Sequence, residues 1–195
     1  MSVRRVAIVA AGLGVAVLVV VGLVQLAGSP GASSAARLSP AQMRSELAGS
    51  PPPLAGLHAQ ADELLGGGMP ALKARLASLH GRAVVINKWA SWCGPCRGEF
   101  GVFQRVSAKD GREVAFVGID SGDSRNDAAR FLRTSPVSYP SYFDPSGTMG
   151  LAVSDSSFTP VTVFHGAHGG LFIHQGPYRS DAELERDVVR YGLDA

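Results

Sequence analysis

Trp92-Cys93-Gly94-Pro95-Cys96 holds the only two cysteines of the chain. It directly follows Ala83-Val84-Val85-Ile86-Asn87-Lys88-Trp89-Ala90-Ser91, whose apolar run over 83–89 predicts a buried β-strand. Two lone thiols two residues apart, at the end of a strand and the start of a helix, form a redox pair. A helix N-terminus offers unpaired N–H groups and partial positive charge, which lower a cysteine pKa from its free value of about 8.5. Cys93 takes that place and is expected to attack. Cys96, one turn further in, is expected to resolve the mixed disulfide. Gly94 permits the tight turn, and Pro95 needs no N–H donor in the first helical turn.

Two rival readings use the same residues. A purely structural disulfide would close so short a loop that it removes little unfolded-state entropy. A zinc site would combine Cys93 and Cys96 with His165 and His168, but two residues between the histidines is short of the usual three to five. The reading adopted is a redox pair, with neither metal nor organic cofactor.

Moving outward, 195 residues accommodate one domain plus extra segments. A net charge of +2 is too mild to indicate a nucleic-acid partner. Arg4-Arg5 precede an uncharged run, Val6 to Val24, of 19 residues. A bilayer core takes about 20 apolar residues, and the preceding arginines favour a cytoplasmic N-terminus. Residues 1–27 are therefore read as a cytoplasmic tip and transmembrane signal-anchor, with the rest outside the cytoplasm; secretion after signal cleavage is the alternative. Residues 28–56, rich in Ser, Pro, Ala and Gly, are read as a linker, with room for a short helix at Ser39–Arg44 capped by Ser39.

The folded domain is expected over 57–195. Leu57, Ala61, Leu64 and Leu65 recur at helical spacing, and a second helix starts at Pro70. After Cys96 a helix is expected to run to about Ala108. Strand 114–120, a helix over Arg125–Arg133 capped by Ser124, a short extended stretch at 141–143, a hairpin of 161–164 with 170–174, and a final helix capped by Ser180 complete the pattern. Such a mix predicts an α/β fold, a central mixed β-sheet, parallel at first with an antiparallel edge, flanked by helices on both faces.

Val84 through Phe100, read as VVINKWASWCGPCRGEF, resembles the signature of the thioredoxin superfamily. It is most similar to the membrane-anchored, extracytoplasmic TlpA/ResA-like thiol-disulfide oxidoreductases of bacteria. Gly118-Ile119-Asp120, Tyr139-Pro140 leading to Asp144-Pro145-Ser146-Gly147, and Phe158-Thr159-Pro160-Val161-Thr162 extend the resemblance over about residues 70–192. It implies a thioredoxin-like fold, a redox-active Cys93–Cys96 disulfide, and a cis bond at Thr159-Pro160 facing the cysteines. It makes Thr159 and Pro160, with Trp92, Gly94 and Pro95, the substrate-binding surface, and gives Glu99 a role in proton handling beside Cys93 and Cys96. The implied partners are protein disulfides, apocytochrome c among them, and a membrane electron donor. A disulfide oxidase of the same fold is the alternative direction; a non-catalytic binding or metal-binding module is the alternative class. Glu99 read without the resemblance is a solvated or salt-bridged helix residue.

Three positions depart from the family pattern. Gly101 stands where a helix-kinking proline is usual. Asn87 replaces the buried aspartate of thioredoxin itself, which leaves Glu99 as the candidate proton acceptor. Lys88 replaces an apolar residue in a central strand, where an unpaired charge is costly. Trp89 reads as core, and Tyr178 and Arg179 as solvated loop residues, with a place bordering the docking surface as the alternative.

Overall fold

The computed structural model describes residues 36–194. The transmembrane signal-anchor expected over 1–27 lies outside the described residues, and among those described no helix is long and apolar enough to cross a membrane. The described residues form a three-layer α/β unit of thioredoxin-like fold around one six-stranded sheet.

The chain opens with α1 (Pro40–Glu46) and α2 (Pro52–His58), followed by β1 (Leu64–Leu65) and α3 (Gly68–Ser78). Next come β2 (Val84–Trp89), α4 (Gly94–Asp110), β3 (Ala115–Ser121), α5 (Arg125–Thr134) and β4 (Ser141–Asp144). α6 (Thr148–Ser154), the hairpin β5 (Val161–His165) and β6 (Leu171–Gln175), and α7 (Asp181–Asp187) follow, the last continuing as a wider helical turn, Val188–Leu193. The strand order is β1-β4-β3-β2-β5-β6. β1, β4, β3 and β2 are mutually parallel, whereas β5 runs antiparallel to β2 and β6 to β5.

Strand pleating sorts the core into two faces. Val85 and Trp89 of β2 join Phe100 and Phe103 of α4, Phe131 and Leu132 of α5, and Leu184 of α7. Val84 and Ile86 face the other way, with Leu54 and Leu57 of α2, Leu72 of α3 and Met149 of α6. β2 and β3 are buried along their whole length, as expected of strands covered on both faces. At Gly118 a Cβ would come 2.1 Å from Ser141 Oγ and 3.0 Å from Trp89 Nε1. Glycine there lets Trp89 Nε1 donate to Ser141 Oγ at 3.0 Å.

Residues 37–56 correct the part of the expected linker over 28–56 that is described; residues 28–35 lie outside the described residues. Arg37 donates to the Thr134 carbonyl at 3.2 Å, and Leu38 N–H donates to Gln104 Oε1 at 2.7 Å. Ser39 caps α1 through a reciprocal capping box with Gln42. Met43, Leu47 and Leu54 are buried; burying apolar surface, not composition, decides that these residues fold. The prolines of Ser50-Pro51-Pro52-Pro53 start α2 because a proline is tolerated where no N–H partner exists. Leu64 and Leu65 are also corrected: they form β1, paired with Ser141 and Tyr142, since an open edge of β4 outweighs their helical spacing. α6 was not anticipated by the turn at 144–147; it is seven residues long, with Gly147 at its N-cap.

Candidate active site

β2 ends at Trp89 and the chain turns through Ala90-Ser91-Trp92 into α4. Two contacts tie this turn to the loop after β3. Ser91 N–H donates to Asp123 Oδ2 at 2.5 Å, and Trp92 Nε1 donates to the Gly122 carbonyl at 2.9 Å. The turn places Cys93 at the N-cap of α4, a helix of 17 residues running unbroken from Gly94, with Gly101 in its second turn.

Cys93 and Cys96 are joined, with an S–S distance of 2.08 Å and Cα atoms 5.3 Å apart. Cys93 is 4% exposed and Cys96 0%, so an approaching sulfur meets Cys93 first. Cys93 Sγ accepts from the Cys96 N–H at 3.2 Å. A hydrogen bond aimed at that sulfur and the positive end of a long helix both favour its thiolate after reduction. On the opposite side, Sγ of Cys93 lies 3.6 Å from the Thr159 carbonyl oxygen. The Thr159-Pro160 peptide is cis. Thr159 is half-buried and Pro160 buried, whereas Trp92, Gly94 and Pro95 are exposed. The fold thus gathers Trp92, Cys93, Gly94, Pro95, Thr159 and Pro160 on one end of the sheet.

Glu99 is 0% exposed, which replaces the solvated reading of this residue. Its Oε1 accepts from Asn87 Nδ2 at 3.0 Å and its Oε2 from the Tyr178 N–H at 3.0 Å. Burial outweighs both hydrogen bonds and pushes the carboxyl pKa up to about 8. Spacing i, i+3 from Cys96 puts the two side chains about 5–6 Å apart at Cβ. At neutral pH this acid holds its proton, so no negative charge opposes a thiolate at Cys93.

Tyr178 is corrected from a solvated loop residue. It is buried, its ring edge-on to Phe103, and its hydroxyl donates to Asp187 Oδ2 at 2.7 Å. Trp89 is core, as its apolar neighbours imply. The four side chains of the zinc alternative are not brought together. His165 pairs with Val84 at the far end of β2 from the disulfide, and a six-residue strand spans about 17 Å.

Lys88 is buried, and its Nζ donates to the Ser156 carbonyl at 2.5 Å. Burial pulls the ammonium pKa down while the Asp144 carboxylate opposes that shift. Asp144 in turn accepts from Ser121 Oγ at 3.1 Å and the Gly150 N–H at 2.8 Å. At Gly150 a Cβ would sit 3.0 Å from Lys88 Cε, so glycine opens the path of the lysine stem. The charge left unexplained by the sequence therefore holds the turn that leads into Thr159.

Two residues entered the sequence reading only as members of the resembling motifs, with no role of their own. Asp120, of Gly118-Ile119-Asp120, is fully buried at the end of β3, and burial with the nearby Asp123 carboxylate pushes its pKa up to about 8. Phe158, which opens Phe158-Thr159-Pro160-Val161-Thr162, is 71% exposed immediately before Thr159.

Comparison with known proteins agrees with this geometry. The AhpC/TSA family model matches residues 68–153. Thiol:disulfide interchange protein DsbE of Tatumella citrea is 31% identical over 152 residues, covering 77% of this chain and 76% of that protein. Thiol:disulfide interchange protein CycY of Rhizobium leguminosarum bv. viciae is 39% identical over 72 residues, 36% of this chain and 38% of that one. The crystal structure of a thiol:disulfide interchange protein of the thioredoxin family from Chlorobium tepidum TLS superposes with a TM-score of 0.53 at 26% identity, covering 59% of this chain and 83% of that chain. The chain therefore belongs to the thioredoxin-like thiol:disulfide interchange proteins and is a thiol-disulfide oxidoreductase.

Proposed function

We propose that the protein is a membrane-tethered reductant acting outside the cytoplasm on disulfides of exported proteins, apocytochrome c among them. The observation that carries the reading is the Cys93–Cys96 disulfide at the head of α4, with the more accessible sulfur at the N-cap.

In the reduced protein the Cys93 thiolate attacks one sulfur of a substrate disulfide. A bond forms between Cys93 Sγ and that sulfur, and the other substrate sulfur leaves as a thiolate. Cys96, losing its proton, then attacks Cys93 Sγ and releases the second substrate thiol. Two electrons and the Cys96 proton pass to the substrate, which is left as one thiol and one thiolate; the thiolate takes its proton from water, and the Cys93–Cys96 bond is restored. Glu99, one turn from Cys96, takes the role of proton partner: with its pKa raised to about 8, the ionised fraction present near neutral pH accepts the Cys96 proton. Asn87 and the Tyr178 amide hold its two oxygens in place. Trp92, Gly94, Pro95, Thr159 and Pro160 form the surface on which the substrate chain lies.

Tethering is supported by the apolar run Val6–Val24 after Arg4-Arg5. An oxidising compartment requires a reductant for each cycle, and the proposal assigns this to a dithiol donor in the membrane. Reduction of insulin by the full chain, and a Cys93–Cys96 potential near −270 mV and not near −120 mV, test this direction. A potential near the oxidising value would reverse the assignment in favour of a disulfide oxidase.

A further inference from the structure

Asp120 is 0% exposed, and neither of its carboxyl oxygens has an N–H or O–H donor among the described residues. Its register partners on both sides are aromatic, Trp89 on β2 and Phe143 on β4. The nearby cation is engaged elsewhere: Arg125 lies over the Phe143 ring at 4.4 Å and donates to the Leu64 carbonyl at 2.9 Å. The other charged groups acting on Asp120 are Asp123 and Asp144, both negative. A buried carboxylate with neither donor nor cation is costly. Burial and the Asp123 carboxylate raise its pKa to about 8, so at neutral pH the group is a carboxylic acid. Such an acid has one O–H to donate, and Asp123 is the side chain within its hydrogen-bonding reach.

Asp123 stands where that donor has an effect. Its Oδ2 accepts from the Ser91 N–H at 2.5 Å and its Oδ1 from the Ser124 N–H at 2.7 Å. Each carboxylate oxygen has two lone pairs, so a third donor displaces neither amide. Ser91 belongs to the turn Ala90-Ser91-Trp92-Cys93, closed by the Cys93 N–H donating to the Ala90 carbonyl at 3.2 Å. Both central residues of this turn are held from the loop after β3: Ser91 by Asp123, and Trp92 through its Nε1 by the Gly122 carbonyl. The loop is pinned in turn by the Gly122 N–H, which donates to the Asp144 carbonyl at 2.8 Å. The turn delivers Cys93 to the N-cap of α4, where its Sγ meets the Cys96 N–H.

We infer that Asp120 is a positioning residue for the attacking thiol: its buried acid donates a hydrogen bond to Asp123, which fixes Asp123 on the Ser91 amide and so sets the turn that places Cys93 at the head of α4. The inference rests on the proposed role of Cys93. No proton changes hands in this arrangement; Asp120 keeps its proton and Asp123 its charge. The bond keeps the Cys96 N–H aimed at Cys93 Sγ, and a neutral Asp120 adds no negative charge beneath the site to oppose the thiolate. Without the donor, Asp123 is a partly exposed side chain that exchanges the Ser91 amide for water.

The test follows alkylation of Cys93 by iodoacetamide against pH in the full chain carrying Cys96→Ser, in detergent micelles. Asp120→Leu keeps an apolar fit and removes the donor. It is expected to raise the Cys93 pKa by about one pH unit, which slows alkylation about tenfold at a pH below it. Asp120→Asn has the same shape and still donates, and is expected to leave the Cys93 pKa unchanged. Amide hydrogen exchange at Ser91 is expected to speed up in Asp120→Leu and not in Asp120→Asn. In an Asp123→Ala background, adding Asp120→Leu is expected to change nothing, because the two residues act through one bond. A Cys93 pKa that stays put in Asp120→Leu, that rises as far in Asp120→Asn, or that still rises in the Asp123→Ala background would overturn the role. A further reading does not depend on Asp120→Leu folding. The infrared difference between the wild type and Asp120→Asn at pH 7 is expected to show loss of a protonated carboxyl band; loss of an ionised carboxylate band would overturn the inference. If Cys93 is alkylated no faster than a free thiol in the chain with Asp120 intact, the role of Cys93 falls and this inference with it.

Discussion

Asn87 Nδ2 donates to Glu99 Oε1 at 3.0 Å, a buried amide–carboxyl pair that joins the central strand to the helix carrying the disulfide. The strand residue supplies what thioredoxin's aspartate would not: a donor that holds a second acid in place one turn beyond Cys96. The pair is closed on its other side by the Tyr178 N–H, so Glu99 is fixed without any cation. Its chemistry is set by burial, and several consequences are measurable.

Glu99 makes the fold sensitive to pH in a definite direction. Its pKa rises from 4.5 in the unfolded chain to about 8 in the native one. Below pH 4.5 both states hold the proton. Between 4.5 and 8 the unfolded chain releases it and the folded chain does not, so stability falls as pH rises, by about 1.4 kcal/mol per pH unit for this group. Above 8 both states are ionised and the dependence ends. Asp120, also raised to about 8, and Asp62, raised to about 6, act with the same sign. Urea unfolding of Glu99→Gln against the wild type, measured from pH 5 to 9, isolates the Glu99 contribution. The difference is expected to grow up to about pH 8 in favour of the variant.

Lys88 should be required for the turn before Thr159. Replacing it with Met keeps the stem volume but frees the Ser156 carbonyl and removes the cation facing Asp144. Removing one partner of a buried charged group is costly, and a loss of about 2 kcal/mol is expected from urea unfolding. Adding Asp144→Asn to Lys88→Met is expected to recover part of that loss, because no uncompensated carboxylate remains.

The order of attack separates the two cysteines. Cys93→Ser is expected to abolish insulin reduction and to form no covalent adduct with substrate. Cys96→Ser is expected to retain the first exchange and accumulate a mixed disulfide through Cys93, visible as a dithiothreitol-sensitive band shift in a non-reducing gel. Adducts through Cys96 in Cys93→Ser would reverse the assignment.

Gly118→Ala tests the close approach of Trp89 and Ser141. A methyl group 2.1 Å from Ser141 Oγ cannot be accommodated without displacing that side chain and its hydrogen bond. Overpacking of this kind costs about 1–3 kcal/mol, read as a lower urea midpoint with an unchanged slope.

The sequence carried the sheet's centre because β2, β3 and the cysteine turn are local patterns: continuous apolar runs, a turn, and a helix start. The pairing of Glu99 was only half visible. Its spacing from Cys96 can be read along one helix, but the Tyr178 amide that completes its site comes from 79 residues away. Tyr178 itself looked like a loop residue because its burial depends on α4 and α7 closing over it. The first helices were hidden by composition. Pro51-Pro52-Pro53 has the look of an extended linker, and only the contacts of Met43, Leu47 and Leu54 show that the segment folds. Leu64 and Leu65 kept a helical period by coincidence, and an unpaired edge of β4 decided their conformation. Phe158 was placed near the disulfide only through its neighbours Thr159-Pro160, and its exposure is not visible in the sequence.

The acidity of the Cys93 thiol in the reduced chain tests the central claim most directly. Alkylation of Cys93 by iodoacetamide as a function of pH, in the full chain carrying Cys96→Ser, gives its pKa. A value clearly below the free-cysteine value of about 8.5 is predicted from the Cys96 N–H and the head of α4. A value at or above 8.5 would contradict the account.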